Sequence, residues 1–408
     1  MNKRIRQLSE ARRWIVVIVM FPLIINGIYI SSAFPSHAFS KEAATATLKS
    51  WKVVASPNVE TSDNSLTKAA VVSANDIWAV GSYVNSTNIN QILIEHWDGS
   101  VWTVVSSPNV AASYNFLNGV AVVSAKDIWA VGYSQNTSNF ISQTLTEHWN
   151  GSTWSIVSSP DVGTGYNFLN GVTVVSTNDV WAVGYYANTK TNKLQTLTEH
   201  WNGSAWSIVS SPNAGRGPNV FTGVASVSTS DIWAVGYYRN YSTRTDQTLT
   251  EHWNGSAWSV VSSPNAGLAY DHLTAVASVT ASDVWAVGNH DASNATQTLI
   301  EHWDGSTWTI ISSPNVGTSY NILNSIAVVS ASNFWAVGNH DTTGGVSAQT
   351  LIEHWNGSAW RVVSSPSIGT SDNSLGGVAI VSASNIWAVG YYRTTTINKV
   401  QTLIEHYS

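Results

Sequence analysis

Short runs rich in Val, Ala, Ile and Trp recur along this chain, cut at regular intervals by Gly, Asn, Asp, Ser and Pro. One copy of the pattern places four such runs at 117–124, 128–133, 143–149 and 154–159. Apolar residues occupy both parities of each run, as in strands covered on both faces. A tight turn at 125–127 separates the first two runs, and a longer loop the second and third. The Asn150-Gly151 dipeptide predicts a type I′ hairpin before the fourth, and Pro160, which lacks a backbone donor, ends the pairing.

The unit repeats. Trp-Ala-Val-Gly begins at Trp78, Trp129, Trp181, Trp233, Trp285, Trp335 and Trp387, spaced 50 to 52 residues apart. Four short strands at that period predict an all-β, seven-bladed β-propeller with four antiparallel strands per blade. Residues 51–57 match a fourth strand and residues 401–407 a third, so the last blade is expected to borrow its outer strand from the N-terminal side. That arrangement closes the ring and removes open sheet edges. Twenty of the 21 Trp fall in the repeats, with Tyr407 in the one remaining place, and they are expected to pack between blades. Alternating strands put both short turns of each blade on one side and both long connections on the other, the side where function usually sits.

Composition adds exclusions. Only 10% of residues are charged and the net charge is −6. Seven of the 18 basic residues and two of the 24 acids precede Trp51, so the remainder carries 11 basic against 22 acidic residues, a net of −11. Without a basic stripe, nucleic acid is not an expected partner. The chain has no Cys, which excludes disulfides, thiolate metal sites and cysteine nucleophiles. No cofactor or metal is assigned.

The first fifty residues point to export. Basic residues from Lys3 to Arg13 precede an apolar run at 14–30, and Ser36-His37-Ala38 offers small residues where a signal peptidase reads. Residues 1–38 are therefore expected to be a signal peptide, 39–50 a linker and 51–408 the propeller, secreted or held at the cell surface. An uncleaved anchor is the alternative, and 14–30 is then the only membrane contact.

The repeats resemble secreted bacterial propellers related to the Kelch and Asp-box (sialidase-type) families, over residues 51–408. The Asp304-Gly-Ser-Thr-Trp308 hairpin is similar to an Asp-box with one residue fewer between Asp and Trp, and most copies have Asn instead, as at Asn150 and Asn202. Kelch repeats carry two glycines after the second strand, whereas this chain has one, as in Gly132. The arrangement also resembles photosystem-assembly propellers of the Asp-box type. The resemblance implies the fold and transfers no catalytic residue.

Two repeated motifs invite chemical readings. Glu-His recurs at Glu95-His96, Glu147-His148, Glu199-His200, Glu251-His252, Glu301-His302, Glu353-His354 and Glu405-His406. Neighbours on a strand face opposite ways, so one copy cannot aim both groups at a substrate. A hydrogen bond from each His to the residue opening the second strand (Asp76, Asp127, Asp179, Asp231, Asp283, Asn333 or Asn385) is the expectation. Asn64, Asn115, Asn167, Asn219, Asn321 and Asn373, with Asp271 completing the set, precede each first strand, where an Asx turn would set its entry.

Departures from the repeat mark the candidate ligand site. His272 stands alone, while Asn289-His290-Asp291 and Asn339-His340-Asp341 replace pairs such as Tyr185-Tyr186. Tyr114, Phe116, Tyr166, Phe168, Phe221, Tyr270 and Tyr320 lie beside the Asn/Asp set, and aromatics next to amides form carbohydrate platforms. Three readings stand open. The first is an extracellular, non-enzymatic binding or scaffold propeller for a glycan or protein; the second a sialidase- or Kelch-like glycoside hydrolase or lyase; the third a self-assembling surface protein. An enzyme would draw on Arg216, Arg239, Arg244, Asp246, Asp271, Asp291 and Asp341.

Overall fold

The computed structural model describes residues 49–408, apart from 61, 342–346, 369–370 and 395–397. The expected leader (1–38), its apolar run (14–30) and the linker as far as 48 lie outside the described residues.

Seven four-stranded antiparallel sheets follow one another, and in six of them the strands run in sequence order from inner to outer. Blade 1 comprises Asn64–Ser73, Asp76–Val84, Asn90–Trp97 and Trp102–Val104. The inner strands neighbour one another in turn, and that of blade 7 (Asn373–Ser382) returns to that of blade 1, so the ring is closed. Blade 7 takes Trp51–Val54 as its outer strand, with Trp51 opposite Tyr407 and Val54 opposite Ile404.

The core lies between sheets. Trp181, only 2% exposed, packs in blade 3 against Trp253 and Trp258 of blade 4, with ring centroids 4.8 and 5.6 Å away. Trp78, Trp129, Trp233, Trp285, Trp335 and Trp387 make the same contacts with the next blade. Each inner strand also carries a bulge, where one extra residue leaves the ladder. That residue reaches the next blade: Thr67 donates to the Leu117 carbonyl (2.8 Å), Asn118 to Leu169 (2.9 Å), Asn170 to Phe221 (2.6 Å), and Thr222, Thr274 and Asn324 continue the series. In blade 7 this place is Gly376, which has no side chain to donate.

Strand ends differ from the sequence expectation. In blade 2 the inner strand starts at Ser113 rather than 117 and the outer one stops at Val157 rather than 159. The Asn-Gly turn is not type I′, because Gly151 has φ 94° while Asn150 is not among the residues with positive φ. Four residues make the loop, and Asn150 Oδ1 accepts from Ser152 N, Ser152 Oγ and Thr153 N at 2.8–3.0 Å. An Asn that binds its own loop in this way needs no left-handed backbone. A Cβ at Gly151 would lie 2.7 Å from Lys126 in the other short turn, so the two short turns of a blade pack together on one side of the ring.

Candidate functional site

The short-turn side is chemically uniform. Every His of the Glu-His motif bonds the residue opening the second strand: Asp76, Asp127, Asp179, Asp231 and Asp283 at 2.8–2.9 Å, and Asn333 and Asn385 at 2.9 Å. The imidazole also lies on the Trp of Trp-Ala-Val-Gly, as His200 does on Trp181 at 4.4 Å. Where Asn replaces Asp, burial lowers the pKa of His354 and His406, and Lys52 adds to the effect at His406.

The Glu of each pair enters the core. Glu95, Glu147, Glu199, Glu251, Glu301, Glu353 and Glu405 are all 0% exposed. Both faces of the third strand are covered there, so a residue at this position is interior whatever its charge. Burial pushes the Glu251 carboxyl up to about 9 and that of Glu353 to about 8. Ser56 and Ser107 donate to Glu95 and Glu147, and those two carboxyls are raised to about 8 and about 7. These carboxyls are sealed between sheets and face no open site.

The long-loop side varies from blade to blade. The residue after each Asn/Asp of the loop set pairs with the residue following the second-strand Gly. The pairs are Phe116–Tyr133, Phe168–Tyr185, Val220–Tyr237, His272–Asn289, Ile322–Asn339, Ser374–Tyr391 and Ser65–Ser82. In blades 2 to 5 they line up rings in two stacked groups, Phe116 to Tyr185 and Tyr237 with His272. Phe116 stacks on Tyr133 at 4.7 Å and Phe168 on Tyr185 at 4.8 Å, while Tyr133 meets Phe168 edge-on at 4.5 Å. Tyr237 stacks on His272 at 3.8 Å. Burial, then the hydroxyls of Tyr237 and Tyr133, raises the Tyr185 pKa to about 12, so the phenol stays a neutral donor. Tyr166 and Tyr270, each 45% exposed, extend the row outward beside Phe168 and His272.

Blades 5 to 7 and 1 answer with amides and hydroxyls. Asn339 Oδ1 accepts from Ser374 Oγ at 3.1 Å and from Asn324 Nδ2 at 3.4 Å. Between the two arcs, Asp246 joins blades 4 and 5: its Oδ1 accepts from Arg239 at 2.9 Å and its Oδ2 lies 3.0 Å from His272 Nε2. Arg239 lies over the Tyr270 ring at 5.9 Å. Both Asp246 oxygens are thus engaged, which suits holding an aromatic wall in place better than accepting a proton.

Of the expected ligand residues, Phe116, Tyr166, Phe168, Tyr270 and His272 come together in this row. Tyr114 is half-buried on the same inner strand as Phe116, opposite Gln135. Asp271, 2% exposed, spends Oδ1 on Ala266 N and Gly267 N, and the six equivalent Asn likewise cap their loops, as Asn167 does on Val162 N at 2.8 Å. Asp341, 1% exposed, is held by Ser319 N, Tyr320 N and Thr318 Oγ1. Burial disfavours its ionised form, yet the Tyr320 and Ser319 amides outweigh that and lower its pKa. His290 and His340 turn Nδ1 to the carbonyls of Asp291 and Asp341 at 3.3 and 2.8 Å, while Asp291 stays half-buried. Tyr320 is fixed by backbone bonds to Asp341. Phe221 is 0% exposed and belongs to the core, which removes it from the platform. No group of three or more His, Asp or Glu among the described residues is placed to hold a metal.

The molecule is a closed seven-bladed propeller with an aromatic and amide-lined long-loop face. No protein-family model matches the chain, and no curated protein matches it either. The expected Kelch or Asp-box kinship therefore rests on the hairpin and glycine patterns alone. Among solved structures, YCF48 bound to D1 peptide superposes with a TM-score of 0.53 at 12% identity, covering 88% of this chain and 96% of that one. The GH74 xyloglucanase from Xanthomonas campestris gives 0.54 at 12%, covering 87% of this chain and 55% of that one. A PL25 ulvan lyase bound to -[GlcA(1-4)Rha3S]- gives 0.51 at 9%, covering 84% and 94%. At these identities the likeness extends to the fold.

Proposed function

We propose that this is a non-enzymatic binding propeller, working outside the cytoplasm, that takes a glycan across the long-loop side of blades 2 to 5. The row of rings from Phe116 to His272 carries the reading. Half-buried aromatic faces cover the apolar face of a sugar, and the amides opposite supply hydroxyl partners. Aromatic stacking needs no net charge, which suits a chain with 10% charged residues. Other propellers of the same fold hold a peptide in one case and an oligosaccharide in another, which is consistent with a binding role and does not choose between the two partners. The Arg239–Asp246–His272 group favours binding over hydrolysis because its carboxylate is already paired on both oxygens.

A glycan array followed by calorimetry on the hits tests the reading. Phe168→Ala and Tyr237→Ala should each weaken a hit at least tenfold, with Asp246→Asn retaining some binding and no product released. Unchanged affinity in both aromatic variants, or turnover abolished by Asp246→Asn, would overturn it. Export through residues 1–38 is tested by the mature N-terminal sequence, which should begin after Ala38.

A further inference from the structure

The inner strands line a central cavity, and one register position recurs there from blade to blade: Lys68, Gly119, Gly171, Gly223, Ala275 and Ser325, with Gly377 packed against Lys68 in blade 7. Six are small because the blades converge there; a Cβ on Gly377 would approach the Lys68 Cα to 2.8 Å. Lys68 is the exception. Its side chain reaches from blade 1 to the two blades preceding it in the ring, and Nζ donates to the Asn324 carbonyl of blade 6 at 2.9 Å and the Gly376 carbonyl of blade 7 at 2.8 Å. Gly376 is where the series of bulge-to-carbonyl bonds is interrupted, so the ammonium bridges the blades on either side of that gap.

Two carbonyls leave the ammonium one N–H unspent and its charge uncancelled. The surrounding cavity measures about 130 Å³ and draws lining residues from all seven blades, with no carboxylate and no other titratable group. Ser325, 6% exposed, lines the same cavity next to the carbonyl that Lys68 bonds, and its hydroxyl makes no hydrogen bond among the described residues. Lys68 is half-buried by surface area because it faces the channel, and the desolvation it meets among the converging inner strands lowers its pKa to about 8. A cation held in such a place is stabilised by a counter-charge.

We propose that the central channel is a binding site for a small monovalent anion, a halide or a free carboxylate such as acetate, held between Lys68 Nζ and Ser325 Oγ. The site is separate from the aromatic row and does not depend on the glycan reading. Its ligand is selected by size and charge: the cavity admits a few atoms, and the remaining walls are Gly, Ala, Val, Ile and neutral polar groups. A glycan chain is too wide for it.

Chloride-35 NMR on the full propeller reads occupancy directly, since a bound halide broadens the bulk line. Wild-type protein should give saturable broadening that competes with acetate, falls several-fold in Ser325→Ala, disappears in Lys68→Met and declines as pH rises through about 8. The Ser325→Ala variant should keep the wild-type unfolding temperature, so the test survives even if Lys68→Met fails to close. Bromide-soaked crystals should show an anomalous peak within hydrogen-bonding reach of Lys68 Nζ. Broadening equal in wild type and Ser325→Ala, independent of pH across that range, or crystals with no bromide in the channel, would overturn the proposal.

Discussion

On the short-turn side the seven blades are close to interchangeable; on the long-loop side only blades 2 and 3 present the same pair of residues. Blade 4 and blade 7 share a His clasp at 2.9 Å, differing only in Asp231 against Asn385. At the opposite ends of the same strands, blade 4 offers Val220 and Tyr237 where blade 7 offers Ser374 and Tyr391. Blade 5 ends the aromatic series, with His272 stacked on Tyr237 and Asn289 opposite it. One side repeats the same Trp and His contacts in every wedge, while the other joins its wedges by contacts that differ from blade to blade, ring on ring at Tyr133 and Phe168 and carboxylate to imidazole at Asp246 and His272. Where a repeat protein departs from its own repeat is where ligand chemistry is to be sought.

If the blades are equivalent in their packing, equal damage to any of them should cost the same. Trp181→Ala, Trp129→Ala and Trp233→Ala should each destabilise the protein by about 3–5 kcal/mol, read from urea unfolding. A blade whose Trp can be removed for much less would break the equivalence. A smaller effect concerns the sealed carboxyls. The folded-state pKa of Glu251 is about 9 against an ordinary 4.5, so the folded protein holds that proton more tightly than the unfolded chain. Its stabilising share is complete below about pH 4.5 and is lost as pH climbs towards 9. Glu251→Gln should make the fall in stability with pH shallower by up to ~1.4 kcal/mol per pH unit between pH 6 and 8, measured by unfolding at each pH. An unchanged slope would show that the carboxyl reaches solvent. The smallest effect is expected at the clasp. Asp231→Asn copies the natural arrangement of blades 6 and 7, and a partly exposed pair is worth little, so about 1 kcal/mol or less should be lost. A larger loss in one blade than in another would sharpen the comparison by exposing a hidden inequality.

Much of the frame is legible in the amino-acid sequence. The Trp-Ala-Val-Gly spacing counts the blades, the match of 51–57 to a fourth strand foretells the closure, and the His clasp follows from strand ends alone. The candidate site is less legible, for a physical reason. Phe116, Tyr166, Phe168, Tyr270 and His272 stand out in a single repeat, but their partners Tyr133, Tyr185 and Tyr237 sit on the second strand, and only cross-strand register and blade-to-blade packing join them. Asp271 and Asp341 read as available because charge suggests solvent; both are consumed by loop amides. Charge gives the same impression of Glu251 and its six counterparts, yet strands covered on both faces have no outside. Lys68 carries a visible signal, a long cation in a column of Gly, Ala and Ser, though only the channel gives it meaning.

The borrowed outer strand has a consequence for how the molecule comes into being. Trp51–Val54 are made early and must wait, unpartnered, until Val400–Tyr407 have left the ribosome more than three hundred residues later. Six wedges can form beforehand, but the seventh assembles only when front and back are both at hand. A chain cut short by premature termination keeps an unzipped edge and an uncovered Trp51, which is the kind of surface that proteases and chaperones seize. Joining residues 51–54 to 404–407 thus makes completion of the seventh wedge a sign that synthesis has passed Tyr407.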